Sequence, residues 1–223
     1  GEAFYIRDQE PGRFWSPAPL PARGSKPYTT RHGFGYSVFE YAENGISSEM
    51  WTYVAIDAPL KFYRVRICNS SGRPRHLSLT GFVEWVLGEQ RGKNAMHVVT
   101  EVDRQTGALL ARNPFNSEFP ERVAFFAVSE SQRTVTGSRT EFIGRNGTLA
   151  RPAAMGRTGL SGKVGPALDP CAAMQTVFEL GGGEEREIVF ILGAGRDAAA
   201  ARQLIGRFRD TNSARGALER VWD

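Results

Sequence analysis

Cysteine is scarce: 223 residues hold only Cys68 and Cys171. A disulfide scaffold needs a far higher density, so both are expected as free thiols in a reducing compartment. Histidine is nearly as rare, and His32, His76 and His97 are widely separated. None falls in an H-x-x-x-H spacing and no C-x-x-C occurs, which removes the usual zinc arrangements. Lysine stands only at 26, 61, 93 and 163. The formal charge of +4, from 28 basic and 24 acidic residues, is therefore carried mostly by arginine scattered among acids. Nucleic-acid binding needs a stripe or patch of positive charge, so nucleic acid is not an expected partner. No apolar run nears the ~20 residues of a bilayer-crossing helix, and no signal peptide opens the chain.

Common catalytic signatures are missing too. A nucleophile elbow reads G-x-S-x-G, whereas Gly33 to Ser37 reads Gly-Phe-Gly-Tyr-Ser. Gly162-Lys163 has the flavour of a phosphate loop, but Val164 follows it and Arg157 stands where the first glycine belongs. Gly181-Gly182-Gly183 runs into Glu184 and Glu185, which would repel phosphate, so it reads as a hairpin turn. Asp8 and Glu10, and Glu118 and Glu121, are close in sequence. Glycoside chemistry requires a carboxylate pair close in space, and nearby acids are otherwise solvated.

What is present is mostly strand. Gly1 to Ile6 already reads as one, so the chain is expected to begin inside a sheet whose earlier strands are missing. From Lys61 to Cys68, Tyr63, Val65 and Ile67 alternate with Arg64 and Arg66, the period of a half-buried strand. From His76 to Leu87 one face holds Leu77, Leu79, Val83 and Trp85, and Phe82 and Val86 on the other face predict a sandwich covered on both sides. Val98–Val102 and Ala108–Arg112 flank a glycine-containing turn and predict a hairpin. Val123–Ser129, Thr134–Thr136 and Glu141–Ile143 continue the series. Met174–Leu180 and Glu187–Leu192 form a second hairpin, after a looser stretch from Gly144 to Pro170.

The pattern changes near residue 196. Asp197 is placed to cap a helix from Ala198 to Arg209 with Leu204, Ile205 and Phe208 on one face. Ser213 is expected to cap a second helix, with Leu218, Val221 and Trp222 as its apolar face. These faces are expected to lack a partner within the chain. The division is a β domain over 1–195 and a helical segment over 196–223.

Aromatic residues crowd the first forty-one positions among arginines. Flat rings beside polar groups suit sugars, which nominates Trp15, Tyr28, Arg31 and His32 as sugar contacts. The competing reading is that most of these rings are core.

Tyr5 to Asp8, Trp15-Ser16-Pro17 and Arg31 to Tyr36 together resemble the N-terminal β domain of the glycosyltransferase-36 group, now the glycoside hydrolase family 94 phosphorylases. Ser70 to Ser78, Val83 to Gly88, Thr106 to Pro114 and Leu168 to Ala172 resemble, within that group, the C-terminal phosphorylase-like part of bacterial cyclic β-1,2-glucan synthases. The likeness runs from Gly1 to about Leu192. It implies an antiparallel β-supersandwich of the galactose-mutarotase-like kind, then linker helices, then an α/α-barrel catalytic domain outside this chain. The family's general acid and phosphate-binding residues sit on that barrel, and no position here matches them. No catalytic residue is therefore assigned, no cofactor is implied, and phosphate enters only as co-substrate of the full-length parent. In dimeric relatives the loop after the strand matching Val83–Leu87 reaches towards the partner's active site. Here that loop is Gly88 to Ala95, with Arg91, Lys93 and Asn94 as donors for sugar hydroxyls.

The expected function is a non-catalytic carbohydrate-binding and scaffold module. Its expected partners are a β-glucan or other oligosaccharide, the barrel domain and a second copy, since an open sheet edge invites pairing. The implied compartment is the cytoplasm, alone or within an inner-membrane protein. The alternatives are a stand-alone aldose epimerase or lyase-like enzyme using His32, His76 and Glu84 as acid and base, and a pure interaction domain.

Overall fold

The computed structural model describes residues 1–222. Its strands are β1 (Glu2–Asp8), β2 (Phe14–Trp15), β3 (Thr29–Gly33), β4 (Tyr36–Glu43), β5 (Ile46–Val54), β6 (Leu60–Asn69) and β7 (Arg75–Glu84). After a short helix α1 (Arg91–Asn94) come β8 (Val99–Val102), β9 (Leu109–Arg112), β10 (Val123–Val128) and β11 (Thr134–Ser138). Helix α2 (Arg139–Ile143) precedes β12 (Pro170–Leu180) and β13 (Glu185–Gly195), and α3 (Ala198–Phe208) and α4 (Thr211–Trp222) follow.

Two antiparallel sheets face each other. The smaller has the order β11-β12-β7-β1-β2 and the larger β3-β4-β5-β6-β13-β10-β9-β8. The alternation read at β6 and β7 decides the layers. Tyr63, Val65, Ile67, Leu77, Leu79 and Val83 point between the sheets. Phe82 points away and packs with Tyr5, Phe142 and Met155 on the outer face of the small sheet. Both faces of β7 are thus covered, as its sequence predicts.

The centre of the sandwich is an aromatic cluster seated on a glycine. Phe4 meets Phe190 edge-on at 5.4 Å, and Phe190 stacks on Phe126 at 5.5 Å. Gly81 lies beneath all three: a Cβ there would stand 2.8 Å from Phe126, 2.9 Å from Phe4 and 3.0 Å from Phe190.

The C-terminal helices correct one expectation. Their apolar faces are not left open. Ala201, Ile205 and Phe208 of α3 and Ala214, Ala217 and Leu218 of α4 are buried against Phe62, Phe125, Val189 and Ile191 on the outer face of the large sheet. The buried Tyr53 hydroxyl donates to the Ala214 carbonyl at 2.7 Å. In α3 the expected face of Leu204, Ile205 and Phe208 is the one that packs; in α4 Ala214 and Ala217 join Leu218 at the contact, so its face is rotated from the expected one and Trp222 remains 55% exposed. Asp197 caps α3 as read, accepting from the Ala200 N–H at 2.7 Å. At α4 the cap is Asp210 rather than Ser213: its carboxylate accepts from the Asn212 and Ser213 N–H groups and from the Ser213 hydroxyl. Residues 139–143 form a helix rather than a strand. Ser138 accepts from the Glu141 N–H at 3.3 Å, an N-cap that the three-residue spacing Ser138…Glu141 encodes.

Both cysteines are free, Cys171 buried in β12 and Cys68 half-buried at the end of β6. The expected open edge is not exposed along β1: strand β2 pairs only Ile6 and Arg7, and among the described residues no strand lies beside Ala3 and Phe4 on that side, yet both are buried.

Two measurements test this account. Gly81→Ala overpacks the ring cluster and should cost about 1–3 kcal/mol of stability, read as a lower denaturant midpoint. The second concerns Asp103, in the β8–β9 turn. Burial alone would raise its carboxyl, but hydrogen bonds from Thr106 and Arg202 outweigh that and hold it below the usual carboxylate range. A pKa lower in the folded than in the unfolded state gives stability that is present above the unfolded value, about 3.9, and lost as pH falls through the folded one. Asp103→Asn should therefore lower the Tm at pH 7 and flatten its decline on acidification.

Candidate sugar-binding cleft

The strand pairings place the connections at two ends of the sandwich. The pairings of Tyr36 with Tyr53, Val54 with Lys61, Leu60 with Gly193, Gly195 with Val123 and Arg112 with Val99 bring one set of strand ends together. The small sheet aligns with them, because Glu2 of β1 pairs with Val83 and its carboxylate meets Lys61 at 2.7 Å. This end carries the connections 34–35, 55–59, 85–98, 113–122 and 139–169. The opposite end carries short turns, such as Asn44-Gly45 and 181–184, together with part of the 16–28 connection, whose Ser25 bonds to Glu43.

Exposed apolar side chains follow the same division. Phe34, Val54, Ile56, Val86, Met96, Phe115 and Phe119, seven of the ten large ones among the described residues, lie at the long-loop end. They are spread across the large sheet, from Phe34 between β3 and β4 to Phe115 and Phe119 between β9 and β10.

A cleft of about 550 Å³ opens there between the β7–β8 and β9–β10 connections, lined by Gly88, Glu89, Lys93, Asn94, Phe115, Asn116, Ser117, Glu118 and Phe119. Its floor is knitted by Asn113, only 3% exposed. The Asn113 amide donates to the Leu87 carbonyl at 2.9 Å and to Asn94 Oδ1 at 3.2 Å. Its own Oδ1 accepts from the Phe115 N–H at 3.1 Å. Leu87 takes a positive φ of 38° at this point, a conformation costly for a branched residue and held by that clasp. Asn116 folds the next turn, accepting at 3.0 Å from the N–H groups of Glu118 and Phe119. The Phe115 ring lies 4.5 Å from the ring of His97, and the Arg122 guanidinium sits 4.5 Å over Phe119.

The residues nominated from the sequence fall in three places. Lys93 and Asn94 line this cleft. Arg91, at the start of α1, is paired with Asp169, which also receives Arg139 at 3.4 Å; Arg139 in turn holds Glu84. Arg91 is thus a strut at the base of the loop, its guanidinium engaged by carboxylates. Arg31 and His32 lie on β3, the edge strand of the large sheet opposite β8. Arg31 pairs with Glu40 at 2.9 Å, and His32 Nδ1 lies 2.8 Å from the Ser37 hydroxyl. Trp15 and Tyr28 are corrected as sugar platforms. Trp15 is 2% exposed within the core, brought there by β2 pairing on β1. Tyr28 stacks on Tyr41 at 4.0 Å, and its hydroxyl donates to the Ser16 carbonyl and accepts from the Gly24 N–H, both at 2.9 Å. Its hydrogen bonds and one ring face serve to fasten the 16–28 segment.

The epimerase set does not converge. His76 and Glu84 stand at opposite ends of β7, roughly 26 Å apart at the usual rise per residue, and His32 is on the far edge of the other sheet. Sequence reading missed Asn113, Phe115, Asn116 and Phe119. The signal was available: Asn113-Pro114-Phe115-Asn116 is a turn by composition, and a phenylalanine inside a polar turn is exposed unless something covers it.

Among the described residues, no helix is long and apolar enough to cross a membrane. Comparison with known proteins gives the family directly. The family described as "Glycosyl hydrolase 94, supersandwich domain" matches residues 1–211. The chain is 36% identical over 221 residues to the cyclic beta-(1,2)-glucan synthase NdvB of Rhizobium meliloti (strain 1021), covering 98% of this chain and 8% of that protein. It is 29% identical to the solabiose phosphorylase of Paenibacillus borealis, covering 90% of this chain and 27% of that one. Among solved structures it resembles a bacterial glucoamylase complexed with acarbose, with a TM-score of 0.56 at 7% identity over 99% of this chain and 31% of that one. A polysaccharide lyase matches with a TM-score of 0.51 at 10% identity, over 92% of this chain and 27% of that one. At those identities the likeness concerns the fold alone. The chain thus spans less than a third of these relatives and, by the match across residues 1–211, belongs to the glycosyl hydrolase 94 supersandwich family.

Proposed function

We propose that this chain is a non-catalytic module of a larger cyclic-glucan-synthase-like or glycoside-phosphorylase protein, and that it holds glucan in the cleft between the β7–β8 and β9–β10 connections. The observation that carries the reading is the cleft itself, which sets lysine and asparagine donors beside exposed phenylalanine rings. Sugars need both kinds of contact, polar groups for hydroxyls and apolar faces for ring carbons. The two relatives named above are a cyclic beta-(1,2)-glucan synthase and a solabiose phosphorylase, which supports a saccharide as the ligand.

On this reading the transfer or phosphorolysis of β-linked glucosyl units, with phosphate as co-substrate, belongs to an α/α-barrel elsewhere in the parent protein. The chain itself needs no cofactor. The apolar side chains of the long-loop end then serve as scaffold for that barrel, α3 and α4 lead towards it, and the chain self-associates as a homodimer. The compartment is cytoplasmic, alone or as the soluble part of an inner-membrane protein.

A second reading is favoured by the extent of the apolar end: a pure interaction domain without sugar affinity. Calorimetry with linear β-1,2-gluco-oligosaccharides at millimolar concentration separates the two. A saturable heat, with no glucose 1-phosphate released when phosphate is added, is the expected outcome. A flat titration leaves only the interaction role, and release of glucose 1-phosphate contradicts the non-catalytic assignment.

A further inference from the structure

The cleft contains a feature that the sugar reading does not by itself require. Phe115 is 75% exposed and Phe119 47% exposed, yet both are held by fixed backbone contacts. The Phe115 N–H is tied to buried Asn113, and the Phe119 N–H to Asn116. Polar contacts thus fix the backbone from which two apolar rings project with much of their surface in water.

Resting on the glucan-holding reading, we infer that Phe115 and Phe119 form the stacking platform of the cleft, each offering the ring face not taken by His97 or Arg122 to a pyranose ring with equatorial hydroxyls. Such a ring carries its hydroxyls equatorially and presents axial C–H groups on its faces. A flat aromatic ring accepts that surface; an axial hydroxyl would stand off it and be buried without a partner. The polar rim matches the same ligand. Lys93 brings three donors, and Asn116 uses its Oδ1 in the turn, which leaves its amide N–H groups for equatorial hydroxyls. Asn113 acts as a positioning residue: it touches no ligand and fixes both loops.

The test uses the whole chain, titrated calorimetrically with a linear β-1,2-gluco-oligosaccharide. Phe115→Ala and Phe119→Ala should each weaken binding about two- to twelvefold, the ~0.5–1.5 kcal/mol of an aromatic contact converted at about 1.4 kcal/mol per decade. Phe115→Trp should preserve it. The Tm of all three should stay near wild type, since exposed rings carry little fold stability. If the wild type binds and both alanine variants bind equally well, the platform is wrong while the sugar reading stands. If the wild type gives no heat, both fall. If the alanine variants instead abolish self-association seen by light scattering, with sugar affinity unchanged, the rings belong to a protein contact and the platform is likewise wrong.

Discussion

The packing of Phe4, Phe126 and Phe190 over Gly81 is the contact on which the rest of the molecule is arranged. Three large rings from three strands fill the space between the sheets because one position of β7 has no side chain. That seat fixes the facing of β1 and β7 against β6, β10 and β13. With the antiparallel registers it also fixes which strand ends lie together. Strand alternation then sends one set of side chains inward, while α3 and α4 cover the outer face of the large sheet and α2 that of the small one.

From that geometry follows the asymmetry of the two ends. One end is closed by short turns and part of the 16–28 connection, and buried Asn69 ties it by donating to the carbonyls of Arg73, Leu180 and Gly181. The other end carries the long connections and most of the exposed apolar surface. Two devices keep those long connections in place: the Arg91–Asp169–Arg139–Glu84 chain of ion pairs beneath the β7–β8 connection, and the Asn113 clasp across to the β9–β10 connection. A rigid sandwich thus carries its longest connections on one end.

Much of the fold could be read residue by residue. The alternation of Tyr63, Val65 and Ile67 gave the correct face of β6, and Phe82 correctly marked a β7 covered on both sides. Asp197 marked the start of α3. The failures have specific causes. Residues 139–143 look strand-like by composition, but a local N-cap turns them into a helix that buries Phe142 and Ile143. The large side chains of α3 marked its contact face, but those of α4 misplaced it, because Ala214 and Ala217 lie against the sheet with Leu218 while Trp222 stays exposed. Trp15 and Tyr28 were credible sugar platforms until β2 pairing carried one ring into the core and a stacking partner took a face of the other.

Family and sandwich were legible along the chain, since periodic burial and a run of family-like segments are properties of residues taken in order. The site was not. The rings of Phe115 and Phe119 and the amide of Asn113 lie far along the chain from Lys93 and Asn94, and they meet because Arg112 pairs with Val99 at the end of one hairpin. That contact depends on strand register and loop closure. It is a property of three-dimensional packing, and no local pattern encodes it.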